Sequence, residues 1–278
     1  MPPKASLLKA LIIPALLGLT VNALGYFNAT AVPIVRQTTV SLPGWPTNHK
    51  PVRALLISDL HVAIPGSSPE RLDRIVDQIN AQNPDIILLA GDFVSTKQIA
   101  WERPAFAAAV APLKRLRAPL GVFAVLGNHD HWMNAEEGRS ELKHLGIHVL
   151  DNQAAQVGPI SLGGVDDAFT WNSNVAGTTA DMRKHRGAMV LLSHSPDIMP
   201  ETPSDVSLVL AGHTHCGQVA LPIVGPLVTM SRYGKRYACG IIHENGKTLV
   251  VGSGTGTSLM PIRFGAPSDM WLITLNGA

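Results

Sequence analysis

Five short, continuous apolar runs recur between residues 52 and 211, and each is followed at once by polar residues. In chain order they read VRALLIS, DIILLA, GVFAVL, AMVLLS and VSLVLA. Runs of this length without polar alternation are typical of strands buried on both faces. Segments with helical spacing lie between several of them, so the sequence predicts an α/β fold in which helices cover the sheet.

The connecting segments support this interpretation. Residues 67–84 predict an amphipathic helix, with Ser68 suited to the N-cap and Pro69 to the first turn. Residues 104–117 and 134–146 predict two more helices, the second capped by Asn134 and ended at Gly146. Residues 148–167 predict two strands joined by a turn.

The N-terminus contains an apolar run of about 18 residues, ALIIPALLGLTVNALGYF, preceded by Lys4 and Lys9. This length is near the lower limit for crossing a bilayer and exceeds the apolar core of a cleaved signal peptide. An uncleaved anchor is therefore favoured over a signal peptide or a buried helix. Because only Arg36 follows closely, the positive-inside rule favours an extracytoplasmic position for the rest of the chain.

Composition narrows the class of partner. Charged residues make up 15% of the chain and hydrophobic residues 46%, which favours contact with a membrane. The formal net charge is +2 and the chain has no long basic run, so no nucleic-acid partner is expected. Cys216 and Cys239 are too few for a disulfide framework, although one bridge is compatible with an oxidising compartment.

The polar stretches after the five runs are rich in aspartate, histidine and asparagine. They are Asp59-Leu60-His61, Gly91-Asp92, Gly127-Asn128-His129-Asp130, Ser193-His194 and Gly212-His213-Thr214-His215. In open α/β sheets, ligands bind in the crevice outside the carboxyl ends of the strands. Side chains that are far apart in sequence are therefore expected to converge there.

The residue types indicate that the bound species is a metal ion. Imidazole, carboxylate and amide groups without an obligatory thiolate suit Mn²⁺, Fe or Zn²⁺ better than Ca²⁺ or a structural zinc. Seven candidate ligands are too many for one ion, but they divide over two ions if one carboxylate bridges them. The seven are Asp59, His61, Asp92, Asn128, His194, His213 and His215. Paired ions of this kind catalyse phosphoryl displacement by supplying hydroxide near neutral pH.

With these five motifs, the sequence from about residue 52 to about residue 275 resembles the calcineurin-like metallophosphoesterases. It is most similar to their membrane-associated bacterial branch, through GHTHCGQVALPIVGPLV and the later GSGTGTSLMPIRFGAPSDMWLITL. The resemblance implies a four-layer αββα sandwich, here preceded by an N-terminal hydrophobic helix. The expected domains are an anchor or signal segment at 1–31, a connecting segment at 32–51 and the metallophosphoesterase domain at 52–278.

The resemblance also implies roles for single residues. Asp92 would bridge two divalent ions, Mn²⁺ being the first choice and Fe or Zn²⁺ the alternatives. His129 would act as general acid or charge stabiliser. The first ion would be held by Asp59, His61 and His215, and the second by Asn128, His194 and His213.

The expected activity is hydrolysis of a phosphomonoester or phosphodiester by a metal-bridging hydroxide, in a membrane-anchored protein. The apolar segment 219–230 and the anchor suggest a substrate with a lipid portion, with a small phosphorylated molecule as the other option. The first alternative is the UDP-2,3-diacylglucosamine pyrophosphatase of lipid A synthesis, which would place the domain on the cytoplasmic face. The second is a non-catalytic metal-binding scaffold.

Departures from the family pattern and nearby side chains refine these expectations. The stretch GDFVSTK lacks the Asp-Arg pair of the protein-phosphatase branch, which argues against a phosphoprotein substrate. Cys216 stands where many relatives have glycine, and it is expected to be a small side chain in a tight turn. Further candidates for substrate binding are His131, Trp132 and Arg232. The pair Asp166-Asp167 is interpreted as a strand-ending turn and not as a catalytic pair.

Overall fold

A computed structural model describes the backbone from residue 4 and the side chains from residue 13, both to residue 278. Two six-stranded sheets pack face to face. The first sheet has the spatial order β1 (Ile34–Leu42), β14 (Asp269–Gly277), β2 (Val52–Ile57), β3 (Ile86–Ala90), β4 (Val122–Val125) and β5 (His148–Val149). The second has the order β12 (Gly240–Glu244), β13 (Lys247–Val251), β9 (Leu208–Ala211), β8 (Ala188–Ser193), β7 (Ile160–Val165) and β6 (Gln153–Val157).

The five apolar runs form the central strands of both sheets, as predicted. Strands β2, β3 and β4 are parallel neighbours in the first sheet, and β8 and β9 are parallel neighbours in the second. Every residue of β3 and β9 is buried. Continuous apolar character follows because one face of each strand meets the other sheet and the opposite face meets helices.

Helices complete the outer layers. Helix α2 (Pro69–Ala81), α3 (Phe106–Val110) and α4 (Asn128–His144) cover the first sheet. Helix α5 (Val175–Met182) and a 3-10 turn at Pro196–Glu201 cover the second. The predicted four-layer α/β sandwich is thereby confirmed, with its main core between the two sheets.

Two helices differ in length from the prediction. Helix α3 is short and continues as a 3-10 turn, Ala111–Arg115, because Pro112 has no N–H for a further helical hydrogen bond. Helix α4 begins earlier, at Asn128 in the candidate metal motif, and contains an extended residue, Asn134. The Asn134 side chain accepts a hydrogen bond from the Glu137 N–H at 3.2 Å, so it caps the second segment as predicted.

The segment predicted as a connection, 32–51, contributes a strand to the first sheet. Strand β1 pairs in parallel with the C-terminal strand β14, from Ile34 opposite Asp269 to Leu42 opposite Gly277. The partner is more than 200 residues away in sequence, so no local pattern could have shown this pairing. The sheet therefore begins about 20 residues before the predicted domain boundary.

A helix, α1 (Lys4–Thr30), precedes the sandwich. Within the described residues, no helix has the length and apolar character needed to cross a bilayer. The first 12 residues of the predicted anchor, 1–31, lie outside the residues whose side chains are described. The C-terminal end of α1 docks on the sandwich, because the Arg71 guanidinium donates hydrogen bonds to the backbone oxygens of Ala29, Thr30 and Ala31.

Candidate metal centre

The seven candidate ligands converge at one edge of the sandwich. Each lies at the carboxyl end of a parallel strand, four after β2, β3 and β4 in the first sheet and three after β8 and β9 in the second. All seven side chains belong to buried residues. The convergence follows from the parallel order of these strands, which brings their carboxyl ends to the same edge.

One group of ligand atoms is formed by Asp59, His61 and His215, which lie within 4.8 Å of one another. The Nε2 atoms of His61 and His215 are 3.0 Å apart. His215 Nε2 is 3.5 Å from Asp59 Oδ1, and His61 Nε2 is 3.4 Å from Asp92 Oδ2. These atoms surround a common point that can hold one cation.

A second group is formed by Asp92, His194 and His213, also within 4.8 Å of one another. His213 Nδ1 is 3.1 Å from His194 Nε2, which is 3.2 Å from Asn128 Oδ1. Asp92 Oδ2 lies 3.3 Å from His194 Nε2 and 3.4 Å from His61 Nε2. This carboxylate oxygen therefore faces both groups, the position that a bridging ligand needs.

Hydrogen bonds outside the two groups orient the histidines of the second group. His194 Nδ1 is 2.7 Å from the Ala90 carbonyl, and His213 Nε2 is 3.3 Å from the Met230 carbonyl. A carbonyl accepts hydrogen bonds only, so these nitrogens carry the ring protons. In the neutral rings, the form that a metal ligand requires, the lone pairs of His194 Nε2 and His213 Nδ1 are directed into the cluster.

The electrostatics of the cluster fit divalent cations. Burial lowers the pKa of His61 and His215 well below its ordinary value, so both rings are neutral at pH 7. Burial acts to raise the pKa of Asp92, but His194 and the other nearby histidines hold it well below its usual range. Burial acts to lower the pKa of His194, but Asp92 raises it well above its ordinary value. The ring nitrogens of His61 and His215 are 3.0 Å apart and those of His194 and His213 are 3.1 Å apart, so each pair can face one cation.

Backbone conformation is unusual at the candidate ligands. Five of the seven have positive φ, between 43° and 72°: Asp59, His61, Asp92, His213 and His215. The left-handed region costs an ordinary residue roughly 1–2 kcal/mol. Strained residues of this kind persist where the surrounding structure over-determines them and are concentrated at functional sites.

Asp130 has a role that the sequence did not indicate. Its two carboxylate oxygens accept hydrogen bonds from the N–H groups of Asp92, Phe93 and Gly127, each at 2.9 Å. Burial and the nearby Asp92 raise the pKa of Asp130 to about 7. This side chain ties the turn after β3 to the turn after β4, and so fixes Asp92 relative to Asn128.

Arg263 is a second residue that the sequence did not indicate. Its guanidinium is fully buried and donates hydrogen bonds to the carbonyls of Ser253, Gly256 and Ala266, at 2.7, 2.7 and 2.9 Å. Its Nη2 lies 3.3 Å from His215 Nδ1, and burial lowers its pKa to about 10. The side chain therefore holds the C-terminal loops against the turn that carries His215.

His129 stands beside the cluster, with one ring nitrogen within 4.8 Å of the ligand atoms of His61 and Asp92. The Thr96 N–H donates a hydrogen bond to His129 Nδ1 at 3.0 Å. Nδ1 is therefore an acceptor, and the ring proton of neutral His129 is on Nε2. Thr96 belongs to the GDFVSTK stretch, which differs from the sequence of the protein-phosphatase branch. In this chain, that stretch orients His129.

The three predicted substrate-binding residues do not lie together. Trp132 lines a cavity beside the cluster, with its ring centroid 4.9 Å from that of His129. His131 turns away because its Nε2 is hydrogen-bonded to Asp166 Oδ1 at 2.7 Å. Arg232 stacks on Trp171, with its Cζ 4.9 Å from the ring centroid, and does not line the cavity.

The aspartate pair forms a turn, in agreement with the sequence interpretation. Asp167 Oδ2 accepts hydrogen bonds from the N–H and the hydroxyl of Thr170, both at 2.7 Å. Neither Asp166 nor Asp167 lines the cavity.

The cavity has a volume of about 550 Å³ and mainly apolar walls. Candidate ligands and His129 form its floor, and Lys97 is the one lysine or arginine on its walls within the described part of the chain. The apolar side chains of the walls are Trp132, Phe169, Val219, Leu227, Val228, Met230, Leu259, Met260 and Ile262. A polar floor under apolar walls suits a molecule with a phosphate at one end and an apolar group at the other.

Cys216 forms a disulfide with Cys239, with the Cα atoms 4.8 Å apart. It has positive φ, 51°, which agrees with its expected place in a tight turn. Because its sulfur is bonded to that of Cys239, Cys216 has no free thiol.

Comparisons with known proteins agree with this geometry. Residues 52–217 match the family model of the calcineurin-like phosphoesterases. The chain is 32% identical to a zebrafish "transmembrane protein with metallophosphoesterase domain", over 97% of this chain and 62% of that protein. It is also 32% identical to the uncharacterized metallophosphoesterase YkuE of Bacillus subtilis, over 74% of this chain and 73% of that protein.

Among solved structures, the chain is similar to a 5'-nucleotidase precursor from Thermus thermophilus, with 14% identity and a TM-score of 0.46. That alignment covers 81% of this chain and 55% of the other.

The family match starts at the first residue of β2 and ends two residues after His215, and so includes all five motifs. The two groups of histidine and aspartate side chains, with Asp92 facing both of them, agree with a binuclear divalent metal site. This chain accordingly belongs to the calcineurin-like phosphoesterase family.

Proposed function

We propose that the chain hydrolyses a phosphomonoester or phosphodiester with a lipid portion, at a membrane to which its N-terminal segment attaches it. The observation that carries the reaction class is the position of Asp92 Oδ2, 3.4 Å from His61 Nε2 and 3.3 Å from His194 Nε2. A carboxylate shared between two histidine groups is suited to bridging two ions. The proposed ligands of the first ion are Asp59, His61 and His215, and those of the second are Asn128, His194 and His213.

When bound, two divalent ions, Mn²⁺ in our proposal, supply a nucleophile from water at neutral pH and polarise the phosphoryl oxygens. The side chains of the protein hold and orient the substrate. The hydrogen bond from Thr96 to Nδ1 leaves the proton of neutral His129 on Nε2. We assign to Nε2–H the donation of a hydrogen bond to the leaving oxygen, which stabilises the negative charge that develops there.

The lipid portion is inferred from the cavity. A small polar phosphate ester would leave the apolar walls next to the ligands in contact with water. Phe169, Leu227, Leu259 and neighbouring residues form these walls. An acyl or prenyl chain would remove these walls from water, at roughly 25 cal/mol per Å² of apolar surface. Trp132, at the wall beside His129, is the residue expected to contact the substrate near the phosphate.

The disulfide supports an extracytoplasmic position for the catalytic domain. Disulfides persist in oxidising compartments and are rare in the cytoplasm. The bridge between Cys216 and Cys239 lies directly after His215 in the candidate site. This favours an extracytoplasmic phosphohydrolase over a lipid A pyrophosphatase acting at the cytoplasmic face.

Hydrolysis of bis-p-nitrophenyl phosphate tests the proposed chemistry. We expect turnover by the full chain that requires Mn²⁺ and is lost in Asp92→Asn, with the bound metal of both proteins counted by elemental analysis. Asp151→Asn is the matched control, since Asp151 does not line the cavity. A folded protein with two ions and no turnover on this ester or on phosphatidic acid would contradict the proposal and leave a metal-binding scaffold.

A further inference from the structure

One rim of the cavity is an exposed apolar hairpin. Residues 219–230, here called the mouth hairpin, contain two short antiparallel strands, β10 (Ala220–Leu221) and β11 (Gly225–Pro226). Its tip residues Ile223 and Val224 do not line the cavity and project into solvent, Ile223 being fully exposed. The exposed large apolar residues of the hairpin are Leu221, Ile223, Val224, Leu227, Val228 and Met230. An exposed apolar patch of this kind beside a ligand cavity marks an interaction surface.

The tip residue Ile223 is apolar although its backbone conformation disfavours a β-branched side chain. Ile223 has φ of 69°, in the left-handed region that glycine and asparagine prefer. Positive φ is a true outlier for a β-branched residue. Neither the backbone nor contact with water accounts for isoleucine at this position, whereas burial of the side chain in an apolar medium does.

The mouth hairpin is continuous with helix α1. The Ala220 N–H donates to the Phe264 carbonyl at 2.8 Å, and the Arg263 N–H donates to the Gly25 carbonyl of α1 at 2.9 Å. Residues 262–264 therefore lie between the hairpin and the helix. From residue 13 onward, the exposed large apolar residues of α1 are Ile13, Leu16, Leu17, Leu19, Val21, Leu24, Tyr26 and Phe27. Hairpin and helix together present one extended apolar surface next to the cavity.

Three basic residues, Arg232, Lys235 and Arg236, follow the hairpin in sequence. Arg232 and Arg236 face the carboxylates of Asp197 and Glu244, so Lys235 is the one of the three that no described carboxylate pairs. Lys235 lies against the hairpin, with its Nζ donating a hydrogen bond to the Val224 carbonyl at 2.5 Å. Exposed apolar side chains with an unpaired lysine beside them are the pattern of a surface that binds anionic lipid.

We propose that the mouth hairpin and the exposed face of α1 dock on an anionic lipid bilayer, so that the cavity opens into the membrane and takes its substrate from there. The hairpin is thus a membrane contact additional to the N-terminal segment. Identification of the substrate as a membrane lipid rests on the proposed function, whereas docking of the hairpin does not. The two parts can therefore be tested separately.

A fluorescent label tests docking without catalysis. Both cysteines are in the disulfide, so Val224→Cys introduces the one free thiol of the described chain, which can carry an environment-sensitive dye. We expect the emission of the full-length labelled protein to shift to the blue with vesicles of phosphatidylcholine and phosphatidylglycerol. The matched control is Lys143→Cys, on an exposed residue at the far end of α4, whose emission should not change. An unshifted label at 224 in protein that sediments with the vesicles overturns the proposal.

A substitution that relieves the backbone tests the functional part. Ile223→Asn suits the left-handed conformation and removes the apolar tip, while Ile223→Leu keeps an apolar side chain. We expect Ile223→Asn to keep its melting temperature and its rate on bis-p-nitrophenyl phosphate. Its rate on phosphatidic acid in vesicles should fall on the order of tenfold, since one fully buried aliphatic side chain contributes at least that factor to partitioning.

The outcomes separate docking from catalysis. If Ile223→Asn loses activity equally on the soluble and the vesicle substrate, or loses none on either, the proposed role of the hairpin is overturned. If wild-type protein with two ions hydrolyses neither substrate, the proposed function fails, and the label at 224 still decides whether the hairpin docks. If Ile223→Leu loses as much vesicle activity as Ile223→Asn, apolar character at the tip is not the cause.

Discussion

The disulfide between Cys216 and Cys239 allows a quantitative prediction. The two residues are separated by 23 positions, and the loop that they close contains the whole mouth hairpin. In the chain-entropy description, a cross-link over a loop of this length stabilises the folded protein by about 3.5 kcal/mol, because it restricts the unfolded chain. The double variant Cys216→Ser/Cys239→Ser is therefore expected to lose about 3.5 kcal/mol of unfolding free energy.

The expected change in melting temperature follows from chain length. Unfolding entropy is about 2.1 cal/mol/K per residue, which for 278 residues gives about 0.6 kcal/mol/K. The variant should then melt about 6 °C below wild type in scanning calorimetry at fixed, saturating Mn²⁺. It should also need more Mn²⁺ for half-maximal activity, because His215 adjoins Cys216 and loses a restraint on its backbone.

The control is a thiol titration of unfolded wild-type protein, which should find no free thiol. A variant that melts within about 1 °C of a wild type with an intact disulfide would refute the loop-entropy reasoning. An unchanged Mn²⁺ requirement would refute the coupling of the cross-link to the metal centre.

Three further predictions concern the site. Gly212→Ala places a Cβ 2.5 Å from Asp59 Oδ2, so metal-dependent activity should fall about ten- to a hundredfold, and two ions found bound at wild-type affinity would contradict this. His129→Ala should lower kcat about 10²- to 10³-fold while both ions stay bound, whereas a change in KM alone would speak against stabilisation of the leaving oxygen. Burial acts to lower the pKa of His131, but the carboxylate that it contacts raises it above its ordinary value. The stabilisation of roughly 1 kcal/mol from this pair is therefore complete below pH ~6.5 and is lost as pH rises through the raised pKa. Denaturation of wild type and His131→Gln at saturating metal should give a difference that shrinks from pH 6 to pH 9, and a constant difference would contradict it.

The arrangement of the candidate site could be predicted because it depends on strand ends. Unbroken apolar runs identify buried parallel strands, and parallel strands place the residues that follow them at one edge. Asp92 is more than 100 positions from His194 and His213, yet the sequence predicts that the three side chains meet. The structure brings them together within 4.8 Å.

Other features depend on contacts that leave no local pattern. Strand β1 pairs with the C-terminal strand, and a lone arginine such as Arg263 gives no sign that it will be buried among carbonyls. The direction of a side chain within a motif is equally hidden. His131 follows the metal motif in sequence, but its hydrogen bond to Asp166 turns it away from the cavity.

The seven candidate ligands are divided between the two sheets, four on the first and three on the second. The position of one sheet against the other is fixed by the apolar core between them, which includes Leu88 of β3 and Leu162 of β7. A small slide of one sheet would change every ligand distance that crosses between the sheets at once. Choice between Mn²⁺ and a smaller ion such as Zn²⁺ thus becomes a property of core packing, and substitutions far from the edge can retune it with every ligand left in place.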